Sequence, residues 1–248
     1  MIQSFFKRLK NVINPTPRLI VYGDIHGCLK ELQALRKKID PLKRDIEVSV
    51  GDFITKGEDS IGVIDYMIEN NIYAVLGNHE EKLLRYLKHF RLDEKNMIKL
   101  NDDEKKILKQ MRKKHLHYLE KLPVFLKFGD ITIVHGGLEN GMKLHKLSSK
   151  MIQKILRLRY VDENGHFITK IGKAKKRRFW ADVYDGSEGF VIHGHRWSKT
   201  VHIHEHAIGI DTGCVYGHKL TALVLSSKYD YRIVQQESFK KKSDILEK

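Results

Sequence analysis

The stretch from Arg18 to Ile39 reads "RLIVYGDIHGCLKELQALRKKI", and its two halves obey different periodicities. Leu19 to Tyr22 form an unbroken apolar run whose length suits a buried strand. Glycines at 23 and 27 interrupt the run, and Leu29, Leu32, Leu35 and Ile39 then return at helical spacing. The stretch therefore predicts strand, tight turn and helix, with Asp24 and His26 in the turn. The same succession occurs twice more: "IEVSV" (46–50) leads to "SIGVIDYMIE" (60–69), and "IYAVL" (72–76) leads to "EEKLLRYLKHF" (80–90). Successive units of this kind predict a layered α/β fold with a largely parallel sheet at its core.

Working outward, residues from about 92 to 122 are charged and helical in pattern and read as a helical insertion. Beyond them "ITIVH", "FVIHG", "HAIGID", "LTALVL" and "YRIVQ" are strand-like pieces with shorter connections, expected to form a second, more antiparallel sheet packed on the first. Residues 1–17 form a basic extension, 18–238 the domain and 239–248 a basic tail. The extension carries Phe5, Phe6, Leu9, Val12 and Ile13 but no continuous apolar segment, so no stable membrane association is expected. The chain has 248 residues with 41% hydrophobic composition, enough for a sizeable core, and no internal repeat or Pro/Gly-rich linker.

Charge and cysteine usage narrow the function classes. A formal net charge of +15 favours anionic partners, and basic clusters occur at 105–115, 173–178 and 239–242. None interleaves aromatics or matches a nucleic-acid module, so nucleic acid is a candidate partner from charge only. Two cysteines, Cys28 and Cys214, leave no room for a disulfide framework or a zinc-cysteine cluster. Both are expected to be buried, reduced thiols, and the expected localisation is cytoplasmic.

The junctions carry the chemistry. The first three strand candidates end in "GDIHG" (23–27), "GD" (51–52) and "GNHE" (77–80), and two later ones in "HGG" (135–137) and "HGH" (193–195). In open α/β sheets the ligand crevice lies at the carboxyl ends of the strands, so these sets are expected to converge.

In order and approximate spacing these motifs, with "GDFITKG" (51–57), resemble the calcineurin-like metallophosphoesterases, above all the branch of phosphoprotein phosphatases and symmetrical diadenosine tetraphosphate hydrolases. The resemblance spans roughly residues 18–225, and "IDTGCVYGHKLTALVL" (210–225) looks like that branch's closing strands. It implies an α-β-β-α sandwich of two mixed sheets flanked by helices. It also implies two divalent metal ions held by Asp24, His26, Asp52, Asn78, His135 and His195, with Asp52 bridging. Oxygen and nitrogen donors without thiolate suit Mn²⁺ first, with iron or zinc as alternatives. The implied reaction is phosphate ester hydrolysis by a two-metal hydroxide mechanism, with His79 as general acid toward the leaving group.

The departures bear on substrate. Phosphoprotein phosphatases carry an aspartate and an arginine where Thr55 and Lys56 stand, and a hydroxyl cannot support an imidazolium as a carboxylate would. Lys56 is expected to bind phosphate as a point charge, together with Arg178, for which Arg177 or Arg196 fit almost as well. Phosphoserine or phosphothreonine proteins are the first expected substrates, and symmetrical cleavage of dinucleoside polyphosphates is the alternative. A non-catalytic basic scaffold is the reading from another class. His193 is expected to pack beside the ligands, and His202, His204 and His206 in "VHIHEH" to form a solvent-facing ladder.

Overall fold

The computed structural model describes residues 17–92, 97–168, 176–227 and 230–240. The expected N-terminal segment with Phe5 to Ile13, the basic residues 173–175 and most of the C-terminal tail lie outside the described residues. The first sheet runs through β1 (Leu19–Tyr22), β2 (Ile46–Ser49) and β3 (Tyr73–Ala74), all parallel. Helices α1 (Leu29–Ile39), α2 (Ser60–Glu69) and α3 (Asn78–Arg91) follow these strands in turn. Two further helices, α4 (Asp102–Gln110) and α5 (Lys113–Glu120), occupy the segment read as a helical insertion.

The second sheet is built from β4 (Phe125–Phe128), β5 (Ile131–Val134), β8 (Phe190–His193), β9 (His202–Ile203) and β10 (Ala207–Gly209), in the order β4-β5-β8-β10-β9. Between β5 and β8 lie α6 (Ser149–Arg157) and a small ribbon of β6 (Tyr160–Val161) with β7 (Arg178–Phe179). The expectation of a more antiparallel second sheet is corrected in two respects. Its central strands β5, β8 and β10 are parallel, and only the edges β4 and β9 run antiparallel. The strands from "LTALVL" and "YRIVQ", β11 (Lys219–Ser227) and β12 (Asp230–Glu237), leave that sheet and join the first one, with β11 antiparallel to β1.

Burial on both faces explains the continuous apolar run of β1. Leu19 and Val21 meet Ile133, Ile192, Ile208 and Leu223 in the core between the sheets. Ile20 and Tyr22 point the other way, onto Leu32 and Leu35 of α1 and Ile64 and Met67 of α2. On the outer face of the second sheet Val134, Val191 and Ala207 pack against Ile155 of α6 and Trp180. The layers are therefore helix, sheet, sheet, helix.

Candidate metal centre and catalytic site

The turn after β1 supplies Asp24 and His26, the loop after β2 supplies Asp52, and the first turn of α3 supplies Asn78 and His79. His135 follows β5 and His195 follows β8. The first two loops are laced together by backbone bonds: the His26 N–H donates to the Asp52 carbonyl at 2.9 Å and the Gly27 N–H to that of Phe53 at 2.9 Å. His26, Asp52 and His195 all sit at positive φ (45°, 47° and 66°), a conformation non-glycine residues adopt rarely and one that is enriched at functional sites. Gly194 is required by close approach, since a Cβ there would lie 1.9 Å from Asp24 Oδ1.

Asp52 is the hub. Its Oδ1 accepts the His79 N–H at 3.0 Å. Its Oδ2 lies 3.2 Å from His135 Nε2 and 3.8 Å from both His26 Nε2 and His79 Nε2. Asn78 Oδ1 stands 3.1 Å from the same His135 nitrogen. The Asp24 carboxylate accepts the backbone N–H of His195, 3.2 Å from each oxygen, which ties the first sheet to the second. Two close sets of side chains share Asp52: His26, Asp52 and His79, where His26 and Asp52 are the candidate ligands and His79 stands beside them, and Asp52 with His135 and His195. Within each set one donor atom per residue lies within 4.8 Å of the others, and Asp52 belongs to both.

The donors fit divalent cations. His26 Nδ1 bonds the Ile54 carbonyl and His135 Nδ1 the Val50 carbonyl, both at 3.0 Å, which turns each Nε2 toward the centre. Burial holds His26 down to about 3 and His195 down to about 2, so both present neutral imidazoles. Burial and the neighbouring charges of Asp211 and Asp52 push Asp24 well above the usual carboxylate range. Burial alone would raise Asp52 too, but the charge and hydrogen bond of His135 hold it well below that range. Burial opposes charge on His135 as well, yet the Asp52 carboxylate raises it above its ordinary value. Crowded buried carboxylates that draw positive charge onto a buried histidine are the electrostatics of a cation site.

Further side chains surround this candidate centre. Thr55 Oγ1 lies 2.7 Å from His79 Nδ1, taking the place expected for it beside the histidine. Lys56 Nζ is 2.8 Å from His26 Nε2, and the Lys56 N–H donates to Asp103 of α4 at 2.8 Å. Three functional side chains were not singled out by sequence. Glu80 accepts the N–H groups of Asp52, Phe53 and Ile54 at 2.9, 3.0 and 3.1 Å and thereby clamps the Asp52 loop. Asp211, buried and pushed up to about 6 by burial, borders Asp24. Both stand inside quoted motifs, "GNHE" and "IDTG", which was the available signal. Arg159 donates through Nε to His195 Nε2 at 3.1 Å and had no motif to mark it.

Arg178, the expected phosphate-binding arginine, lies exposed on β7 opposite Val161, whereas Arg159 bonds His195 at the centre. Of the alternatives, the Arg177 guanidinium covers Tyr160 and that of Arg196 covers Phe179. His193 packs as expected, buried against Trp180 with ring centroids 4.9 Å apart. The solvent-facing ladder is also corrected. Ile203 and Glu205 take the most exposed positions and His204, 14% exposed, turns onto Phe179 at 5.5 Å, while His206 lies beside Gly186 with its ring still 40% exposed.

Residues 17–234 match the family model described as calcineurin-like phosphoesterase. The chain belongs to the calcineurin-like phosphoesterases. It is accordingly a phosphoester hydrolase of a family that works with divalent metal ions. It is 31% identical over 243 residues to the bis(5'-nucleosyl)-tetraphosphatase PrpE [asymmetrical] of Oceanobacillus iheyensis, covering 90% of this chain and 94% of the relative. It is 34% identical over 163 residues to the symmetrical bis(5'-nucleosyl)-tetraphosphatase of Wigglesworthia glossinidia brevipalpis, covering 58% of this chain and 57% of that one. Among solved structures, a candidate diadenosine tetraphosphatase superposes with a TM-score of 0.75 at 25% identity, over 92% of this chain and 96% of its own. As a calcineurin-like phosphoesterase the molecule has the two mixed sheets and flanking helices of its structural neighbours.

Proposed function

We propose that the protein hydrolyses the phosphoanhydride bonds of dinucleoside polyphosphates at a centre of two divalent metal ions. The observation that carries this reading is the position of Asp52 between His26 on one side and His135 and His195 on the other, flanked by the cations Lys56 and Arg159. When bound, two such ions polarise the attacked phosphoryl group and activate a water. Asp24, His26, Asp52, Asn78, His135 and His195 are the proposed ligands, with Mn²⁺ the best fit and iron or zinc compatible with the same donors. Lys56 and Arg159 take up charge along the phosphate chain. His79, with Nδ1 held by the Thr55 hydroxyl, turns Nε2 toward the centre and donates the proton to the leaving phosphate oxygen.

The sequence alone placed phosphoserine and phosphothreonine proteins first. Two things support the reverse order: Thr55 and Lys56 replace the carboxylate and arginine of phosphoprotein phosphatases, and the relatives that span the chain are named as tetraphosphatases. A cytoplasmic site of action belongs to the same proposal and is supported by the two buried thiols. Among the described residues no helix is long and apolar enough to cross a membrane. The test is a turnover comparison of diadenosine tetraphosphate, a phosphothreonine peptide and a mononucleotide on the Mn²⁺-loaded protein. The dinucleotide should win by orders of magnitude in kcat/KM. AMP with ATP as products would show an asymmetrical cut, and ADP alone a symmetrical one. A phosphopeptide preference would restore the original order.

A further inference from the structure

The segment that carries His195 continues as "HGHRW", and the one that carries Asp211 continues as "IDTGCVYGH". Folding brings their aromatic residues together. The Trp197 indole and the His218 imidazole are stacked, 18° from parallel with centroids 5.5 Å apart, and the Tyr216 ring lies 5.5 Å from the indole. Gly213 makes room for the indole, since a Cβ at its position would stand 3.1 Å from Trp197 Cε3. The other tryptophan, Trp180, is fully buried, whereas Trp197 is 46% exposed. Lys56 joins this cluster to the centre: its Nζ lies 5.4 Å from the Tyr216 ring centroid and 2.8 Å from His26 Nε2.

We propose that Trp197, backed by His218 and Tyr216, is the platform on which a nucleobase of the substrate stacks while the attached phosphates pass Lys56 into the centre. Every base offers a π face, and an aromatic ring binds it without reading hydrogen bonds. The position of Lys56 selects this ligand over an aryl phosphate. An aryl ester holds its ring one oxygen from the phosphorus under attack, whereas the rings here are linked to the donors through Lys56, a cation suited to a further phosphate. The inference rests on the dinucleoside polyphosphate reading, and the two can fail separately.

The experiment uses the Mn²⁺-loaded enzyme with its intrinsic fluorescence and its kinetics. AMP should quench the tryptophan emission and inorganic phosphate should not, because Trp197 is the exposed indole; the Trp197→Ala protein should show no quench. Trp197→Ala should lower kcat/KM for diadenosine tetraphosphate by about 5- to 150-fold, the ~1–3 kcal/mol worth of one stacked base. Inorganic tripolyphosphate, which has no ring, should inhibit or turn over equally well in both proteins, and Trp197→Phe should restore most of the lost efficiency. Absence of quenching by AMP, or an equal loss for tripolyphosphate, would overturn the platform. Quenching by AMP in a protein that does not cleave the dinucleotide would keep the platform and refute the substrate reading.

Discussion

His79, the proposed proton donor, and Thr55 show how one substitution at the residue scale alters a side-chain pair without dissolving it. Phosphoprotein phosphatases place a carboxylate where this chain has Thr55. The hydroxyl still reaches His79 Nδ1 at 2.7 Å, from a backbone held at φ 68°, a costly conformation for a β-branched residue. The hydroxyl orients the ring but brings no charge, and burial keeps His79 below its ordinary value. His79→Asn should therefore cut kcat by about 10²- to 10⁴-fold while bound metal, measured by elemental analysis, stays at the wild-type level. Thr55→Val should cost about tenfold through ring orientation, in the range found for outer partners of a site, and Thr55→Ser should recover most of it. Undiminished turnover in the His79→Asn protein would remove the proton donor from the account. The convergence of the proposed ligands and His79 was legible because each stands in a short motif at the end of an apolar run. Arg159 was not, because its role is created by the chain path that brings the start of the β6–β7 ribbon beside His195.

At the scale of elements, α3 does more than present Asn78 and His79. Glu80, fully buried in the helix's first turn, accepts three successive N–H groups of the Asp52 loop. Burial and the Asp52 charge push it up to about 7, so the site pays in desolvation for a rigid loop. Glu80→Gln replaces one acceptor oxygen by an amino group that cannot accept. It should lower stability by about 1–3 kcal/mol, seen as a drop of several degrees in Tm, and weaken metal binding in a calorimetric titration. An unchanged Tm together with unchanged metal affinity would show that the clamp is dispensable. Element pairing also marks the limit of local sequence reading. The strand and helix periods were legible in "RLIVYGDIHGCLKEL", but the destination of β11 was not, because its partner β1 lies some two hundred residues earlier in the chain. Likewise the alternation in "VHIHEH" was legible, but which face turned inward depended on Phe179 and Gly186 from distant segments.

Across the whole molecule, ion pairs fasten the layers around the centre. Arg18 and Asp45 join the starts of β1 and β2, Lys114 and His115 of α5 hold Asp65 of α2, and Arg157 of α6 holds Glu81 of α3 across the two halves. Partial burial would raise these carboxyls, but the hydrogen bonds from their partners hold all three below their ordinary values of 3.8, 3.8 and 4.5. A depressed carboxylate stabilises fully above its unfolded pKa, and the contribution is lost as pH falls through the folded one. Stability should therefore show no loss from these three pairs at neutral pH and decline below about pH 4–5, with a shallower decline in the Glu81→Gln protein. Thermal melts between pH 3 and 7 read this directly. An identical acid limb in that variant would mean that the α3–α6 link does not contribute.

The central claim is that Asp52 holds two ions at once between the two sheets. Anomalous diffraction from crystals soaked in Mn²⁺ tests it most directly. Two peaks should appear, both within bonding range of Asp52, one beside His26 and the other beside His135 and His195. A single peak, or a pair bound away from Asp52, would contradict the account.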